Sequence, residues 1–96
     1  MQNQNDIKQI ILHLKPELSE RFFVSKIGLF GSVTRSDFTS DSDVDLVVDF
    51  SKPIGIEFVD LADFLEEKLQ RKVDLLSFKG IRPAFFNTIQ GKIEYV

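Results

Sequence analysis

The sequence predicts an α/β (α+β) fold, and three observations predict it. Apolar residues recur at helical spacing in two stretches, Ile7, Ile10, Ile11, Leu14 and Leu18, then Phe58, Leu61, Ala62, Leu65 and Leu69. Short runs rich in aromatic and β-branched residues lie between and after them. Gly, Pro and Ser/Asp clusters mark the switches from one pattern to the other. At 96 residues, a single domain over 1–96 with a modest core is expected.

The first helix is expected over 5–15, with Asp6 in its first turn, where a carboxylate favours the helix dipole. Pro16 disfavours helix at Lys15, so the helix is expected to stop or kink there. His13 falls off the apolar stripe and reads as an exposed helix residue. Residues 22–30 read as the first strand, ended by Gly31. Ser32 suits the N-cap of a short helix over 33–38, which could serve as the crossover to the second strand. Residues 39–42, Thr-Ser-Asp-Ser, have loop composition. The second strand is expected over 43–50. Alternation puts Asp43, Asp45, Val47 and Asp49 on one face and Val44, Leu46, Val48 and Phe50 on the other. A third helix is expected over 56–70, with Asp60, Asp63, Glu66 and Glu67 as its solvated face. A third strand is expected over 73–78. Pro83 opens a last helix running to 90, with Gly91 as its C-terminal cap, and 93–96 read as a short fourth strand. The order of the strands does not follow from the sequence.

Composition narrows the function classes. A net charge of −3 argues against a basic face for nucleic acid. No apolar run approaches the length of a membrane span, and the first ten residues lack a signal-peptide pattern, so a cytoplasmic protein is expected. The absence of cysteine rules out disulfides and thiolate metal sites. Ten phenylalanines, spread along the chain, read as core packing rather than base stacking.

The chemistry gathers between Leu29 and Phe50. Gly31-Ser32 before a helix start would let a phosphate approach the backbone, with free N–H groups and a hydroxyl as donors. An ordinary helix cap is the plainer reading. Asp43 and Asp45 would project from one strand face, where like charges repel unless a cation compensates. Mg²⁺ suits such oxygens together with substrate phosphates. Asp74 lies within an apolar strand. It completes a three-carboxylate site if its strand neighbours that of Asp43; otherwise it is an edge aspartate paired with Lys72 or Arg71. Asp37, Asp41 and Asp49 fit loop or strand-end roles, Asp41 as an Asx-turn residue.

Together these residues resemble the minimal nucleotidyltransferase (MNT) family of the DNA polymerase β superfamily. Gly31-Ser32 is followed by ten residues and then Asp43-Val44-Asp45, Asp74 stands where the family has its third acid, and Arg35 matches the Gly-Ser-x-x-Arg form. The resemblance implies a polymerase β-like fold, a small mixed sheet flanked by helices. It implies two Mg²⁺ ions held by Asp43, Asp45 and Asp74, with Asp74 as the general base. ATP would be the substrate, its triphosphate gripped by Gly31, Ser32 and Arg35; an exposed helix residue is the competing reading for Arg35. It further implies an antitoxin that transfers AMP to a tyrosine of a helical HEPN-type ribonuclease toxin. A contact-only antitoxin and a subunit of a small-molecule, antibiotic-type nucleotidyltransferase are the alternatives.

Overall fold

The computed structural model of the chain describes residues 4–31 and 42–96. Helix α1 spans Gln4–Phe22 and leads into strand β1, Val24–Phe30. Strand β2 spans Val44–Phe50, helix α2 Glu57–Leu69, strand β3 Val73–Ser77, helix α3 Pro83–Ile89 and strand β4 Glu94–Tyr95. The expected helix over 33–38 lies outside the described residues, as do Ser32, Arg35, Asp37 and Asp41.

Helix α1 does not stop at Pro16 but runs on through it to Phe22. The apolar stripe explains why. Leu18 is 0% exposed and Phe22 4% exposed, both packed in the core, and their burial outweighs the hydrogen bond that a proline cannot donate. Phe23 then takes a positive φ of 59° and turns the chain into β1. At the other end of the molecule, Gly91 does not form a left-handed cap. Helix α3 tightens into a 3₁₀ turn over Gln90–Lys92, another way of satisfying the last carbonyls of a helix.

The four strands form one mixed sheet in the order β3-β2-β1-β4. Strand β1 pairs antiparallel with both β2 and β4, and β2 pairs parallel with β3. Strands β1 and β2, as antiparallel neighbours, need no crossover between them. Helix α2 supplies the crossover that the parallel β2–β3 pair requires.

Both faces of the sheet are covered, unequally. Ile27, Leu29, Val44, Leu46, Val48 and Val73 turn to one face, against Ile7, Ile11 and Leu18 of α1 and Leu61, Leu65 and Leu69 of α2. The other face carries a smaller buried cluster of Phe30, Val47 and Ile89, with Leu76, Phe78, Ile81 and Ile93 packed around it. The alternation predicted for β2 holds: Val44, Leu46 and Val48 serve the main core, and Val47 the smaller cluster. Phe22 and Phe64 sit 5.2 Å apart between centroids, bridging α1 and α2.

Candidate active site

Strand pairing gathers three strand ends at one end of the sheet. Phe30, the last residue of β1, pairs with Asp45 near the start of β2. Asp45 pairs in turn with Asp74 near the start of β3. The Val44 amide donates to the Lys72 carbonyl at 3.0 Å and ties the two starts together. In-register neighbours in a sheet share a face, so Asp45 and Asp74 stand side by side about 4.8 Å apart along the ladder direction. Asp43 lies one residue before β2 rather than within it. Asp43 and Asp45 are half-buried, and Asp74 is exposed. Among the described residues Asp74 forms no ion pair with Lys72 or Arg71, so the edge-pair reading does not hold.

Gly31 adopts φ +71°, in the left-handed region that side chains disfavour. A Cβ placed on it would lie 2.2 Å from Asp45 Oδ2 and 3.1 Å from its Cγ. The missing side chain at 31 thus leaves the space that the Asp45 carboxylate occupies. The sequence gives a reason for glycine there, the approach of a phosphate; packing against Asp45 is a second reason that only the fold reveals.

Glu66 is a residue that sequence reasoning misplaced. It was expected on the solvated face of its helix, yet it is half-buried. Its Oε2 accepts the Val73 amide at 3.0 Å, fixing the first residue of β3, next to Asp74. The available signal was its place one turn from the helix end, seven residues before Val73. Asp49 is occupied locally, its Oδ1 accepting the Phe50 amide at 3.0 Å. His13 Nδ1 meets the Gln9 carbonyl at 2.8 Å on the exposed side of α1.

Among the described residues no three His, Cys, Asp or Glu side chains converge closely enough to hold an ion by themselves. The donors present are hard carboxylate oxygens, two of them in register on neighbouring strands. That set fits Mg²⁺, which typically binds through one or two carboxylates, water and substrate phosphates rather than a closed protein cage.

A small mixed sheet with a glycine closing one strand, and aspartates in register at the starts of the next two, is the architecture of a small nucleotidyltransferase. The family model of the nucleotidyltransferase domain matches residues 11–96, and the chain belongs to that family. It is 38% identical over 92 residues to the protein adenylyltransferase MntA of Thermococcus cleftensis, covering 95% of this chain and 93% of that protein. Among solved structures, one taken to be a minimal nucleotidyltransferase superposes with a TM-score of 0.73 at 26% identity, covering 91% of this chain and 92% of the other. A toxin–antitoxin crystal structure with AMP-PNP gives a TM-score of 0.72 at 22% identity, covering 98% of this chain and 72% of the matched chain, a likeness of fold. The resemblance read from the motif spacing is therefore correct at the level of family, fold and enzyme class. Among the described residues no helix is long and apolar enough to cross a membrane.

Proposed function

We propose that this nucleotidyltransferase is an antitoxin that transfers AMP from ATP to a tyrosine of a helical HEPN-type toxin and thereby silences it. The observation that carries the reading is the in-register pair Asp45–Asp74 beside Gly31. The 38% identity to a protein adenylyltransferase supports the choice of a protein acceptor. A solved structure of similar fold, with a TM-score of 0.71, holds a tri-AMPylated HEPN toxin in complex with an MNT antitoxin and supports the partner class.

In this reading the Gly31 backbone and the Ser32 hydroxyl receive the triphosphate, and the Arg35 guanidinium neutralises part of its charge. Asp43, Asp45 and Asp74 are the residues that would hold two Mg²⁺ ions, which would offset the charge that develops on the transferred phosphoryl group. Asp74, the exposed member, takes the proton of the tyrosine hydroxyl. The phenolic oxygen bonds to the α-phosphorus, the bond between the α-phosphorus and the bridging oxygen breaks, and pyrophosphate leaves. Asp45, held against Gly31, keeps its carboxylate at a fixed place while this happens.

The double variant Asp43→Asn/Asp45→Asn tests the reading. It keeps side-chain size and removes two like charges, so the fold should persist. The expected result is a toxin that gains mass in AMP units with ATP, Mg²⁺ and the native chain, and none with the variant. If the native chain adds no mass while both versions suppress the toxin equally, the chain acts by contact and the catalytic reading is overturned.

A further inference from the structure

Strand alternation puts Asp74 and Leu76 on the same face of β3, and about 7 Å separates their Cα atoms. From Leu76 a groove of about 400 Å³ opens, lined also by Gly80, Ile81, Arg82 and Phe85. Its lining is mostly apolar. Phe85 is 43% exposed, unusual for a phenylalanine. The Phe85 ring meets the Phe30 ring edge-on at 6.2 Å between centroids, and Phe30 directly precedes Gly31. The groove is thus continuous with the carboxylate face of the sheet and is braced against the strand that ends at the glycine.

Its position selects between the two reactants. Across the sheet the order is Asp74 on β3, Asp45 on β2, then Phe30 and Gly31 on β1. The triphosphate notch belongs to the β1 end. The groove wall of Leu76, Gly80 and Ile81 belongs to β3 and the turn after it, on the side of the general base. We propose that this groove seats the aromatic ring of the acceptor, a tyrosine presented by a segment of the partner protein, with Leu76, Ile81 and Phe85 as the residues that select it. A ring seated on Leu76 lies about 7 Å along the strand from Asp74, within reach of its hydroxyl. Aromatic rings favour edge-on contact with one another, which Phe85 offers, and the Arg82 guanidinium can lie over a ring face. The inference rests on the adenylyltransferase reading for the identity of the acceptor.

The test is a titration of the ¹⁵N-labelled full chain with N-acetyl-L-tyrosinamide, N-acetyl-L-serinamide and adenosine, each with and without AMP-PNP and Mg²⁺. Tyrosinamide is expected to shift the amide signals of residues 76, 80–82 and 85 with millimolar affinity, AMP-PNP present or not, and serinamide to leave them still. Phe85→Ala should weaken that binding about five-fold. Shifts in the groove from adenosine but not from tyrosinamide would make it a base pocket and overturn the proposal, and so would no shift from either. If Phe85→Ala fails to fold, the titration of the native chain decides alone. Calorimetry of AMP-PNP with Mg²⁺ separates the two readings. Nucleotide binding without a phenol response overturns the groove alone; a phenol response without nucleotide binding overturns the transferase reading and leaves the groove an aromatic site.

Discussion

Replacing Gly31 with alanine tests the corner on which the site depends. The backbone there has φ +71°, and a non-glycine residue in that region costs about 1–2 kcal/mol. The new Cβ would also sit 2.2 Å from Asp45 Oδ2, a separation no pair of such atoms tolerates. The Asp45 carboxylate must swing away, off its preferred rotamer, at about 1 kcal/mol. The sum, about 2–3 kcal/mol, is a large part of the stability of a small domain and corresponds to a melting point lower by roughly 10–20 °C. Urea denaturation gives the stability and calorimetry gives the affinity for ATP with Mg²⁺, which should fall as Asp45 is displaced. The decisive measurement is the cycle with Asp45→Ala. Removing the carboxylate relieves the clash but not the backbone strain, so Gly31→Ala should cost about 1 kcal/mol less in that background. An equal cost in both backgrounds would show that Asp45 does not lie against Gly31, and the account of the corner would be wrong.

Three further outcomes are expected. Glu66→Ala leaves the half-buried Val73 amide without its acceptor and should cost about 1–2 kcal/mol, with faster hydrogen exchange at Val73, whereas Glu66→Gln keeps an acceptor oxygen and should restore most of both. Pro16→Ala supplies the missing amide within α1 and should stabilise the chain by about 2 kcal/mol in urea denaturation, the helix gain exceeding the loss of proline's restraint on the unfolded chain. Glu57, whose carboxylate accepts the Gly55 amide at 2.8 Å, is held below the ordinary carboxylate range first by that bond, then by its own amide, with Lys52 adding a smaller pull. Its folded value lies below its unfolded one, so its contribution is present above the ordinary carboxylate pKa and lost as pH falls through the folded value. An NMR titration should show the depressed value, and Glu57→Gln should remove that part of the acid sensitivity.

What could be read from the sequence was local. The strand runs, the helix periods and the motif spacing each depend on near neighbours, and they led to the right family and, among the described residues, to the right helices and strands. Pro16 misled because its effect is also local, while the burial of Leu18 and Phe22 that overrides it depends on residues far along the chain. Strand order was hidden for the same reason, and with it the pairing of Asp45 with Asp74, which sequence could state only as a condition. Glu66 was missed because a carboxylate on a charged helix looks like solvated surface until the strand start it holds is folded against it. Ser32 and Arg35 lie outside the described residues, so their part rests on the motif alone.

The unequal covering of the sheet has a consequence for how the molecule breathes. Among the described residues, helices α1 and α2 bury the larger cluster on one face, whereas the face that carries Asp45 and Asp74 is covered by the seven residues of α3 and a few side chains. Opening free energy follows buried apolar area, so α3 should detach at far less expense than the rest unfolds. The acids, pinned by ladder bonds to strands rooted in the opposite core, would stay in register through such an opening. One half of the molecule is then a rigid bench and the other an adjustable wall, so the smaller face can open and close without moving the two aspartates that stand on it.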